Sequence, residues 1–113
     1  MKPQLIKSII YDKRGRVLSI GQNNYEKSHP LQAAHAHKAG MPQKIYLHAE
    51  VHSIVRCPDL SKAHKIFVSR WDKNGNPMLA KPCPICMSAI KATGIKKVEY
   101  TTGNDFEVVC IEL

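Results

Sequence analysis

Two cysteines three positions apart, in Pro82-Cys83-Pro84-Ile85-Cys86, open a stretch that reads as a helix through Met87-Ser88-Ala89-Ile90-Lys91-Ala92. That spacing puts both sulfurs on one face, beside the backbone N–H groups that the first turn leaves unpaired. Cys83 stands where an N-cap would be and Pro84 at the first helical position, where a missing N–H costs nothing and the fixed φ suits a helix. The positive end of the helix dipole favours the thiolate, the form that binds metal. Two thiolates do not complete a shell, because a catalytic zinc takes three protein ligands and keeps a fourth position open. The candidate third ligand is His48 in His48-Ala49-Glu50, with 31 residues between Glu50 and Pro82.

Other chemistries use the same residue types. A C-x-x-C pair serves redox exchange or a structural zinc knuckle, and a structural zinc would leave Glu50 as no more than an acidic residue favouring its helix N-terminus. His48 and His52 are four apart on one helix, but Glu50 comes one position late for the H-E-x-x-H metalloprotease pattern. His52 therefore reads as a packed or hydrogen-bonded side chain. Cys57 and Cys110, without a disulfide framework around them, read as small buried residues.

Taken together, these residues spell H-x-E followed by P-C-x-x-C, and the chain resembles the cytidine/deoxycytidylate deaminase superfamily. The resemblance implies that His48, Cys83 and Cys86 hold Zn2+, which lowers the pKa of water and supplies hydroxide near neutrality. Glu50, beside the ligands and not needed on the metal, would carry protons from the water to the ring nitrogen and the departing amine. The backbone N–H of Ala49 would contact the base. Gly21-Gln22-Asn23 is similar to the G-x-N turn of deoxycytidylate and tRNA-adenosine deaminases, which implies that Asn23 touches the base or sugar; an Asn favoured by turn geometry is the other reading. Lys27, His29, Arg70, Trp71 and Lys81 fall near the expected mouth, where they could bind phosphate or stack on a base. A histidine ligand is similar to the deoxycytidylate and nucleic-acid branches, whereas the terminal hairpin is similar to the free-cytidine branch. Leu79-Ala80-Lys81 stands where vertebrate polynucleotide editors have Ser-Trp-Ser.

The elements that must position these residues follow from pattern. Gln4 to Tyr11 is a β-branched apolar run, Asp12-Lys13-Arg14-Gly15 a turn, and Val17 to Gly21 a second strand, so the chain opens on a hairpin. From Gln22 to Lys44 periodicity is lost, apart from a short helix over Leu31 to Ala39, and a loop of that length is expected to wall the site. A buried helix starts near His48 and stops at Pro58. Lys65 to Trp71 is the clearest strand, followed by the turn-rich Asp72-Lys73-Asn74-Gly75-Asn76-Pro77. A second helix runs from about Cys83 to Thr93 and closes at Gly94. Val98 to Thr102 and Phe106 to Ile111 form a last, antiparallel hairpin across Gly103-Asn104-Asp105. Both halves of the motif thus fall at helix N-termini, which an α/β sheet gathers at one end, where ligands bind. The resemblance implies a three-layer α/β fold: a five-stranded mixed sheet in order 2-1-3-4-5 with helices on both faces.

The 113 residues make a single domain over 1–113, small for an enzyme standing alone, so a homo-oligomer is expected. No apolar run approaches the roughly 20 residues of a membrane span, and no signal-peptide pattern opens the chain, so a cytoplasmic protein without membrane contact is expected. A net charge of +8 from 17 basic residues attracts phosphate, on a nucleotide or a polymer, or serves as a solvated surface. The expected activity is zinc-dependent hydrolytic deamination of a cytosine-type nucleoside or nucleotide, for example deoxycytidine monophosphate, releasing ammonia. The alternatives are a deaminase acting on single-stranded DNA or RNA, with Trp71 as a stacking platform, and a non-catalytic zinc-stabilised binding module.

Overall fold

The β-branched opening run forms strand β1, Leu5–Tyr11, and returns as β2, Val17–Gln22. The turn between them is locked by Asp12, whose Oδ1 accepts the N–H groups of Arg14 and Arg16 at 2.9 Å each, while Gly15 takes the left-handed conformation at φ 83°. The computed structural model describes residues 5–28, 30–38, 40, 46–105 and 107–113. The stretch without clear period contains β3, Asn24–Ser28, the expected short helix α1, Pro30–Lys38, and β4, Tyr46–Leu47. Among the described residues the two strands pair only with each other, Asn24 with Leu47 and Ser28 with Tyr46. A pairing between short segments so distant in the chain leaves no local period to read.

Helix α2, Ala49–Arg56, ends at Cys57, just before Pro58, and a single 3-10 turn, Leu60–Lys62, leads into β5, Lys65–Trp71. The Asp72 to Asn76 turn then folds the chain back as β6, Pro77–Met78. Helix α3, Pro84–Thr93, is closed by Gly94 at φ 84°, and β7, Lys97–Thr101, and β8, Val108–Glu112, complete the chain. The sheet runs β2-β1-β5-β7-β8, with β6 paired to the end of β5. Only β5 and β7 are parallel; β8 is antiparallel to β7. The α/β class, the mixed sheet and the strand order implied by the resemblance are the ones observed.

Along β1, β5 and β7 the residues Ile10, Ile66, Val68 and Val98 point to one face and are buried against Val51 and Ile54 of α2 and Ala89 and Ile90 of α3. Helix α1 lies against α3, tied to it by His35 Nδ1 and Ser88 Oγ at 2.9 Å. Helices were expected on both faces; among the described residues all three lie on this one. The opposite face carries Lys7, Ile9, Tyr11, Lys65, Phe67 and Glu99, all half-exposed. Lys65 spans it, paired with Glu99 at 2.7 Å and lying 5.0 Å from the Tyr11 ring centroid. Long amphipathic stems cover part of the apolar surface there, which the face needs in place of a helix. No described helix is long and apolar enough to cross a membrane.

Candidate metal centre

Helix α2 is anchored by polar contacts that the hydrophobic pattern does not announce. Ser53 Oγ lies 2.8 Å from Ser8 Oγ and donates to the Glu50 carbonyl, while Ser19 Oγ donates to the Ser53 carbonyl at 2.7 Å. Gln22 N–H donates to His52 Nδ1 at 3.0 Å, so His52 ties the helix to the strand and takes no part in a metal pair. Against this frame His48 occupies the N-cap of α2 in extended backbone, φ −80° and ψ 154°. Its N–H donates to Oε1 of the fully buried Gln32 at 3.2 Å. Cys83 occupies the equivalent N-cap of α3, φ −69° and ψ 168°, with Pro84 after it. Neither side chain caps its own helix, so each can turn toward the other.

They meet. His48 Nδ1 lies 3.1 Å from Cys86 Sγ and 3.7 Å from Cys83 Sγ, and the three donor atoms fall within 4.8 Å of one another. With Zn–N and Zn–S bonds of about 2.1 and 2.3 Å, donors on a tetrahedral zinc stand roughly 3.5–3.8 Å apart. The cluster fits a zinc site in both its donor set and its dimensions. Hydrogen bonding from Cys86, and then from His48, lowers the Cys83 thiol to about 4. Cys86, which supplies that bond and is buried, is pushed well above the ordinary thiol value. Of the two sulfurs, Cys83 is the one whose thiolate form the surroundings favour.

Glu50, on the first turn of α2, is only 6 % exposed. Burial raises its carboxyl above the ordinary carboxylate value, opposed by its own backbone N–H and by the charge of His48. It lines a cavity of about 220 Å³ together with Asn23, His48, Ala49 and Cys83. Four of the predicted residues around the metal, His48, Ala49, Glu50 and Cys83, thus face one space, with Cys86 buried behind them. Asn23 joins them, its Oδ1 accepting the Ile6 N–H at 3.2 Å. The volume is below the roughly 300–1,000 Å³ of drug-sized sites, which suits a single ring with little beside it.

One expected contact among the described residues is not brought to this cavity. Trp71 does not line it: Arg70 does, and Trp71, one residue on, falls on the other face of β5. His29 lies outside the described residues, and of Lys27 only the backbone, in β3, is described. Lys81 lines the cavity as expected, together with Leu79 and Ala80. Gln32 was not foreseen at all; a polar residue inside a short amphipathic stretch carries no signal that it will meet a backbone N–H sixteen positions away.

A mixed sheet whose two motif helices bring their N-termini together on a His-Cys-Cys cluster, with a buried carboxyl beside it, defines an α/β protein with a zinc-type centre. The chain belongs to the cytidine and deoxycytidylate deaminases, whose zinc-binding region matches residues 5–102. No curated protein matches it.

Proposed function

We propose that this chain is a zinc-dependent deaminase of a cytosine-type nucleoside or nucleotide. The observation that carries the reading is the shared cavity: His48, Cys83 and the buried Glu50 carboxyl line one ring-sized space, with Cys86 completing the donor cluster behind it. His48, Cys83 and Cys86 would hold the metal, which when bound lowers the pKa of water and makes a nucleophile available near neutral pH. Glu50 does the proton work. Its raised pKa brings it toward the range in which a carboxyl can both take a proton from the attacking water and give it up again, first to the ring nitrogen and then to the leaving amine. Water adds at C4, the tetrahedral carbon collapses, and ammonia leaves. Ala49 opens α2, so its N–H is one of the first-turn donors that no intrahelical carbonyl can accept, and it would meet a polar edge of the ring. Ile6 and Val68 supply an apolar wall.

A homo-oligomer belongs to the same proposal, supported by the small size of the domain and by the sheet face that no described helix covers. The deciding experiment measures ammonia release by the zinc-loaded chain from cytidine, deoxycytidine, their monophosphates, adenosine, guanine and single-stranded oligonucleotides, with sedimentation run at the assay concentration. Release from a cytosine compound is expected, and Glu50→Gln should lower it by roughly 10²- to 10⁴-fold with zinc content unchanged. A Glu50→Gln protein that matches the parent in turnover leaves the catalytic reading without its proton carrier and ends it.

A further inference from the structure

Strand alternation gives the sheet a second face that the metal site does not use. Residues paired across strands share a side, so the register sets Ile20 of β2, Ile9 of β1 and Phe67 of β5 in one row, continued by Glu99 of β7 and Cys110 of β8. The row crosses the middle of the face that no described helix covers. Trp71, which the cavity leaves unused, stands beside Leu5 at one end of it. Leu5, Val17, Ile20 and Val108 are between 44 and 54 % exposed. The water-facing side of a sheet ordinarily turns polar residues outward. A contiguous patch of isoleucine, phenylalanine and tryptophan marks a surface made to be covered.

Charge and size identify what covers it. On a chain of net charge +8, the charges of this face nearly balance, Lys7, Lys65 and Lys97 against Glu99 and Glu112. Two copies meet here without bringing like charge together, as they would at the cleft that Arg14, Lys62 and Lys96 line. A phosphate chain is drawn to that cleft and finds little here to neutralise it. The five strands β2-β1-β5-β7-β8 are five to seven residues long. At about 4.8 Å between strands and about 3.4 Å per residue they present roughly 500 Å² in plan, before the relief of the side chains is counted. That is the scale of the roughly 800 Å² that each partner buries in a stable pair.

We infer that a second copy of this chain covers this face, sheet against sheet, in a two-fold symmetric dimer with Phe67 near its centre. The inference rests on the homo-oligomer proposed above and adds which surface joins the copies. The cavity is lined from the other side of the sheet, by Ile6, Val68 and Arg70, so a copy docked here leaves both cavities open.

Sedimentation equilibrium of the zinc-loaded chain, from nanomolar to high micromolar concentration, tests it. Fluorescence of Trp71, the single tryptophan, is followed on the same samples with acrylamide as quencher. The parent is expected to form a dimer, and its Trp71 emission to move to the blue and resist quenching as the indole leaves water. Phe67→Glu and Ile20→Glu should each raise the dissociation constant roughly a hundredfold or more, because symmetry places each change in the interface twice. Arg14→Glu, in the basic cleft, should leave it at the parental value. Should Phe67→Glu not fold, Ile20→Glu and the Trp71 titration of the parent decide. A parent that stays monomeric overturns this inference and the homo-oligomer reading together. An oligomer that these variants leave intact, or whose assembly does not change Trp71 quenching, overturns this inference alone and moves the contact to another surface. Ammonia release enters none of these readouts, so failure of the deaminase reading is seen separately.

Discussion

His48 has to hold one ring nitrogen near two sulfurs, and what fixes the start of its helix is a side chain from elsewhere. Gln32 is fully buried and its Oε1 accepts the His48 N–H, while three residues along α1 His35 reaches Ser88 of α3. Helix α1 therefore touches both metal-bearing elements. Gln32→Leu keeps much of the volume, removes the acceptor and leaves a backbone donor at the edge of the site without its partner, a loss of about 1–3 kcal/mol. Zinc affinity, read by competition with a chromogenic chelator, is expected to fall roughly tenfold or more, and the melting temperature of the metal-free form by roughly 5–15 °C. Unchanged affinity would mean that His48 is positioned without Gln32. The ligands and Glu50 were legible because metal chemistry demands particular residue types at particular offsets from helix starts. Gln32 was not, since it acts across the chain through a backbone contact; Arg70 was expected near the mouth beside Trp71, and strand alternation is what turns only Arg70 to the cavity. That alternation is also why Trp71, adjacent to Arg70, is not a wall of the cavity.

At the scale of elements, the seating of α2 on β2 decides where His48 and Glu50 stand. Gly21 is what permits it: a Cβ there would overlap the Ala49 carbonyl oxygen and the Ser53 amide nitrogen. Both are backbone atoms of α2 and have no rotamer by which to move aside. Gly21→Ala is thus expected to lift the helix from the strand and strain the hydrogen bonds of Ser53 with Ser8 and Ser19, at a cost of about 1–3 kcal/mol. Its check is a paired measurement, a lower thermal midpoint together with weaker zinc retention; a stable Gly21→Ala protein with normal zinc would show that the helix has slack. The glycine of Gly21-Gln22-Asn23 was visible as a turn residue, yet its physical duty is close approach in an extended strand, which one sequence does not distinguish from a turn. The two Asp turns were easier to read. Asp12-Lys13-Arg14-Gly15 and Asp72-Lys73-Asn74-Gly75 close the same way, each Asp accepting N–H groups two and four residues on and each Gly near φ 83° or 82°. Turn chemistry of that kind is local, so it survives in sequence; the pairing of β3 with β4 and the gathering of the described helices on one sheet face are long-range outcomes and do not.

Over the whole molecule, the net charge of +8 is not gathered at the cavity. Lys13, Arg14, Arg16, Lys62 and Lys96 line a separate cleft with His64, at the end of the sheet where β5 begins. Arg70 is near the other end of that strand, five residues on from Lys65, a rise of about 17 Å. A polyanion drawn to the basic cleft would lie away from the metal, so attraction to nucleic acid and turnover are physically separable in this fold. Reversing Arg14 and Lys96 together to Glu is accordingly expected to weaken single-stranded oligonucleotide binding and to flatten its dependence of log affinity on log salt, by roughly 0.7 for each phosphate no longer neutralised. Turnover of a mononucleotide should stay at the parental rate in the same protein, and the salt titration of both readouts checks the pair. If mononucleotide turnover falls along with oligonucleotide binding, the cleft and the cavity are coupled and the two readouts are not separable in this fold.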